Sequence, residues 1–205
     1  MDKMNNVEQE NAESSRAKEK NADGRVKNPR LKKIVYSALF LSLAMILPFL
    51  TGQMRIFGKA LSLMHVPVFL CGMVCGGFWG MLIGFISPTL RSLVFGMPPL
   101  FPNAVVMSFE LCAYGAVAGF LYYALYGKKG CVFISLIAAM LIGRGVWGLA
   151  SLVFWSFAGK EFTFYLFLKG AFIDAFVGII LHLIIIPAIV KVLGKANLLL
   201  LNEKE

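Results

Sequence analysis

The sequence predicts an all-α integral membrane protein: a compact bundle of six transmembrane helices with both termini on the cytoplasmic side. Three observations predict it. Of the 205 residues, 59% are hydrophobic, against about 45–50% in soluble domains. Charge is segregated. Residues 1–33 carry six acids and nine bases, whereas only five acids follow: Glu110, Glu161, Asp174, Glu203 and Glu205. Lysine and arginine also fall unevenly about the apolar runs. Ten flank one side and five the other, which sets orientation by the positive-inside rule.

The net charge of +9 does not point to nucleic acid. A nucleic-acid binder gathers its bases on a face or stripe. Here they sit in short clusters beside apolar runs and read as topology signals. Residues 1–30 are rich in Asn, Glu, Lys and Ser, too polar to bury a core, and form a disordered cytoplasmic tail. Residues 31–195 form the transmembrane domain, and 196–205 a short cytoplasmic tail. No small-residue cleavage site follows the first apolar run, so that run is a retained helix rather than a secretory signal.

A bilayer span needs about 20 apolar residues. The spans expected are Leu31–Leu50, Ala60–Cys75, Phe78–Phe95, Asn103–Tyr126, Cys131–Phe157 and Phe164–Leu193. Gly76-Gly77 turns the second into the third, and that pair of spans is the weakest division; either can be short or re-entrant. Gly96-Met97-Pro98-Pro99 ends the third, because proline cannot continue a helix. Gly72, Gly76, Gly80 and Gly84 recur every four residues, as do Gly115 and Gly119. Small residues at this spacing let membrane helices approach closely. Ala38 and Ser42 share it on an otherwise bulky first helix, a candidate docking stripe for another subunit. Cys71, Cys75, Cys112 and Cys131 lie in apolar segments without the partners of a metal site, and read as small core fillers.

Glu110, Arg144 and Asp174 lie well inside expected helices, where a charge costs about 2.5–3.5 kcal/mol or more. A rise of 1.5 Å per residue puts all three roughly 10–20 Å below the outer surface. Two readings stand: an ion network that fixes packing, or a polar cup open to the outside that holds a small solute. Tyr114 and Trp147 lie about one turn from Glu110 and Arg144, supplying aromatic walls of the kind ligand sites use. Arg91 and Asn103 flank the Gly-Met-Pro-Pro loop, where either could close over a solute. His65 begins a His-Val-Pro run and could face the cup or bond the kinked backbone; His182 reads as structural.

There is no phosphate-binding loop, no HExxH and no GxSxG elbow. No catalytic residue, metal ligand or cofactor of the chain's own is therefore expected, and the chain is expected not to be an enzyme.

Three stretches carry a resemblance: Leu63 to Gly72 (LMHVPVFLCG), Gly84 to Pro99 (GFISPTLRSLVFGMPP) and Met107 to Gly115 (MSFELCAYG). Over about residues 33–195 they resemble the substrate-binding S components of energy-coupling factor (ECF) vitamin transporters, most of all the pantothenate type. The resemblance implies a six-helix, multi-pass subunit of the cell membrane that binds one vitamin from outside. It further implies docking onto a separate transmembrane coupling subunit driven by two cytoplasmic ATPase subunits, which bind the ATP. Ala38-Leu39-Phe40-Leu41-Ser42 stands where the family carries Ala-x-x-x-Ala on its docking face. The expected solute-binding set is Arg144, Glu110, Asp174, Tyr114, Trp147, Asn103, Arg91 and His65. A stand-alone secondary transporter or channel for a small solute is the alternative.

Overall fold

The computed structural model describes residues 29–51, 62–159 and 163–196. The expected tails, the start of the second span, and the loop charges Arg55, Lys59 and Lys160 lie outside the described residues. Among those residues the structure is helices joined by short turns, with no strand.

Helix α1 runs Pro29–Ile46 and tightens into a 3-10 turn, Leu47–Thr51, where Pro48 cannot donate the next helical hydrogen bond. Helix α2, His65–Cys75, is shorter than expected. Its joint to α3, Gly77–Phe95, is Gly76 at φ 108° and ψ 159°, a conformation open in practice only to glycine. Helix α3 ends on left-handed Gly96. An i→i+5 turn, Leu100–Ala104, then leads into α4, Val105–Ala124. Helix α5 spans Cys131–Phe157, as expected.

The sixth expected span is not one helix. A short α6, Phe164–Leu168, passes into a wide turn, Lys169–Ile173, closed by Asp174 N–H donating to Lys169 C=O at 2.9 Å. Helix α7, Phe176–Lys195, comes after it. Counted as continuous apolar stretches among the described residues, five are long enough to cross a bilayer, and α2 is a sixth, shorter one.

The bundle is polar-poor outside as well as inside. On α1 alone Leu31, Ile34, Val35, Leu39, Leu43 and Ile46 are exposed, and the outward faces of α5 and α7 are similar. A water-facing surface of this kind would aggregate; a lipid-facing one is what a membrane bundle requires. All eleven residues of α2 are buried, and its immediate neighbours are α1, α3, α4 and α7. Helix α4 sits centrally between α2, α3 and α5.

Backbone contact holds this core. A methyl at Gly115 would overlap the Gly80 carbonyl, and one at Gly84 the Leu111 carbonyl. Gly72 likewise abuts Gly115. The glycine repeats therefore serve packing within the chain, bringing α2, α3 and α4 into contact across their main chains. Across the α3–α4 seam, Thr89 Oγ1 and Ser108 Oγ share a 2.9 Å hydrogen bond, and Ser108 also donates to Ala104 C=O.

Candidate functional site

Four helices bring ionisable and aromatic side chains together at one level of the bundle. Helix α4 contributes Glu110, 3% exposed, and Tyr114, 1% exposed. Tyr114 donates its hydroxyl proton to Glu110 Oε1 at 2.7 Å, one turn back along the helix. Its ring lies against Gly143 of α5, where any side chain would collide with it. Helix α5 then contributes Arg144, itself half-buried, whose Nη1 stands 3.0 Å from the same Oε1 in an ion pair with the buried acid. Helix α2 contributes His65, with Nε2 at 4.0 Å from Oε1.

The histidines are fixed from behind. His65 donates Nδ1–H to Ser62 C=O at 3.0 Å, and His182 of α7 donates Nε2–H to that carbonyl at 3.3 Å. The His65 main-chain N–H reaches it too, at 2.9 Å. Ser62 presents this acceptor from a positive φ of 43°. The rings of His65, Phe69, Tyr114 and His182 pack together with centroids 4.9–5.8 Å apart. His65 thus combines the two roles open to it: one nitrogen holds backbone and the other faces the acid.

Arg144 is only partly satisfied. Its Nε is buried without a hydrogen-bond partner, an arrangement that costs about 1–3 kcal/mol. Two turns further along the same face of α5, Ser151 Oγ is also buried and unpartnered. Trp147 lies beside this face and stacks on Phe167 of α6, with centroids 6.1 Å apart at 26°. Gly170, in the wide turn, has no side chain to obstruct the Trp147 ring.

The structure brings together five of the eight expected binding residues: Glu110, Arg144, Tyr114 and His65 at the centre, with Trp147 beside them. Asp174 does not join them. It is exposed, next to the wide turn, and the Arg144–Glu110 pair forms without it. The reason is the break. A depth and facing estimate for Asp174 assumes one straight helix, and one extra residue in the turn rotates the rest of the segment by about 100°.

Arg91 also has another occupation. It is 5% exposed, donates from Nη1 to the Met45 carbonyl at 2.8 Å, and lies 5.2 and 5.5 Å from the ring centroids of Phe49 and Phe95. It clamps the end of α1 to α3. Asn103 is half-buried in the turn before α4. Ser151, on the Arg144 face, and Phe167, against Trp147, lie next to the cluster's residues without a place in the expected set. Ser151 has a signal, since it repeats at seven residues from Arg144; nothing local to Phe167 distinguishes it from other lipid-facing phenylalanines. The hydrogen bond of His182 fits the structural role expected of it, while its ring adds to the cluster.

Ala38 and Ser42 are both exposed on α1. Ser42 Oγ donates to Ala38 C=O at 3.0 Å, so the hydroxyl is consumed within the helix and the stripe is smooth and apolar. Among the described residues no group of three or more His, Cys, Asp or Glu is placed to hold a metal ion.

No curated protein and no solved structure matches the chain. The sequence family described as "ECF transporter, substrate-specific component" matches residues 32–198. That range takes in nearly all of α1, every later helix and the whole polar cluster. It is a family of transporter components that bind substrate, not of enzymes, and its members work with other ECF transporter subunits. Membrane-length apolar helices, a charged cluster sealed among them and a family match over most of its length place this chain in the substrate-specific component family of ECF transporters.

Proposed function

We propose that the chain is the vitamin-binding S subunit of an ATP-driven ECF importer, and that its site is the cluster of Arg144, Glu110, Tyr114, His65 and Trp147. Asn103 is proposed at its rim. The observation that carries this reading is the Arg144–Glu110 pair, 3.0 Å apart inside the bundle, with a guanidinium nitrogen left unsatisfied. A pair kept only for packing would be expected to complete its own hydrogen bonds. The sparse seating of α6, which meets the bundle mainly through Phe167 against Trp147 and Gly148, supports access from that end. Pantothenate is the first candidate solute, since its carboxylate suits Arg144 and its hydroxyls and amide suit the polar neighbours.

The chain then sits in the cell membrane with both termini cytoplasmic. It captures solute from outside and passes it through a separate transmembrane coupling subunit. ATP is bound by two cytoplasmic ATPase subunits and not by this chain. The purified protein in detergent should bind one member of a vitamin panel with nanomolar to micromolar affinity, as measured by calorimetry. Failure to bind any member of the panel would remove the reading. Uptake into liposomes carrying this chain alone would replace it with the stand-alone transporter.

The exposed Ala38–Ser42 stripe is the proposed docking face for the coupling subunit. Leucine at both positions should prevent co-purification of the partner subunits, because added bulk holds helices apart. Solute affinity of the isolated variant should stay within about twofold, as Ala38 and Ser42 are both exposed on the outside of the bundle. Retained assembly would move docking to another face.

A further inference from the structure

The chemistry of the cluster narrows what it can hold. This step rests on the reading of the site as a solute-binding site. A guanidinium is planar and offers two usable edges. Nη1 of Arg144 is turned to Glu110. Nε–H belongs to the other edge, alongside Nη2, and is buried without an acceptor. That edge is the side-on fork that matches the two oxygens of a carboxylate.

Charge has to balance as well. Glu110 and Arg144 cancel, so an added carboxylate would leave one uncompensated negative charge in a site shielded from water, next to an acid of the same sign. The groups facing this point are Glu110 and Tyr114 from α4, Arg144 from α5, His65 from α2 and His182 from α7. Lys169 and Asp174, near the outer break, are both exposed. Arg91 is engaged with the Met45 carbonyl. Among the described residues, that leaves the histidines to supply a balancing charge.

His65 is the better placed of the two. With Nδ1–H committed to Ser62 C=O, its other nitrogen, Nε2, carries the lone pair of the neutral ring. That lone pair faces Glu110 Oε1 at 4.0 Å. Two acceptors oppose one another there, and a proton on Nε2 turns the contact into an attraction. His182 has its Nε2–H spent on Ser62 C=O and does not touch the acid.

We infer that the solute is a carboxylate seated on the Nε edge of Arg144, and that one proton enters with it and comes to rest on His65 Nε2, between the imidazole and Glu110. Binding is then a proton-linked event in which site and solute together gain no net charge.

Calorimetry on the intact purified protein tests this with acids and their uncharged counterparts: pantothenate and panthenol, biotin and biotinamide, nicotinate and nicotinamide. Each is titrated in phosphate and in Tris, whose heats of ionisation differ, so that the difference in apparent enthalpy reports the protons exchanged. One acid should bind about a hundredfold or more tighter than its uncharged counterpart. Up to one proton should be taken up, with Kd rising as much as about tenfold per pH unit above neutrality. His65→Gln should abolish the uptake and flatten the pH dependence, while an effect on packing alone would shift affinity equally at every pH. Tighter binding of an uncharged or cationic vitamin overturns the carboxylate assignment and leaves the solute-binding reading standing. Acid binding without proton exchange in the wild-type protein, or undiminished uptake in His65→Gln, overturns the proton linkage. Binding of no member of this panel defeats this inference, and binding of no vitamin of any charge defeats the function it rests on as well.

Discussion

Alanine at Arg144 will weaken solute binding by roughly thirtyfold or more and also destabilise the protein. Truncation removes the fork offered to the solute, worth about 2–5 kcal/mol for one partner of a buried charge pair, or roughly thirtyfold to several thousandfold in Kd. It also strands Glu110, 3% exposed, as an unpaired charge; breaking such a pair costs about 3–5 kcal/mol in stability. The two losses separate in the double variant Glu110→Gln, Arg144→Met. With no charge left to strand, its melting temperature in detergent should recover most of what Arg144→Ala lost, yet its affinity should stay at least as weak as that of Arg144→Ala. Wild-type affinity in the double variant would show the pair to be a packing device. Lysine at Arg144 should keep much of the stability and little of the affinity, because an ammonium restores the charge but not the planar fork.

Valine at Gly115 is expected to be the most damaging single change in the core. The position abuts the Gly80 carbonyl and Gly72. Its neighbours across the contact are main chain, which cannot rotate away as a side chain can. Three buried helices would have to separate, and overpacking of a far milder kind already costs about 1–3 kcal/mol. Expression as a monodisperse peak on fluorescence-detected size exclusion should be lost. Valine at Gly145, which has nothing within 4 Å of an added methyl, should leave the peak unchanged. Equal tolerance of both would mean that α3 and α4 do not meet through their backbones.

The contrast between these glycines shows how far the sequence is legible. The four-residue repeat from Gly72 to Gly84 announces a close helix contact, because spacing alone puts those positions on one face. It does not say which helix lies opposite. Hydrophobic length locates the spans well for α3 and α5, whose ends are marked by Gly and Pro or by lysine pairs. It says little about α2, where burial on every side leaves no polar face to mark an edge. Glu110 and Arg144 are recoverable because a charge in hydrocarbon needs a partner. Asp174 misleads for the same reason: it looks equally deep only because a run of apolar residues gives no warning that the helix opens at Lys169. Arg91 is visible as a membrane cation, but its partner is a main-chain carbonyl 46 positions away, and no side-chain pattern encodes that.

The opening at Lys169–Ile173 has a mechanical consequence. The i→i+5 turn has already given up regular helical bonding, and it contains Gly170, so bending there breaks little. Above it, α6 touches its neighbours chiefly through one ring on another. Below it, α7 is seated on α2 and α5. Helices α2, α3 and α4, locked main chain to main chain, form the frame. The short α6 is the arm, jointed so that it can move without levering α7 out of place.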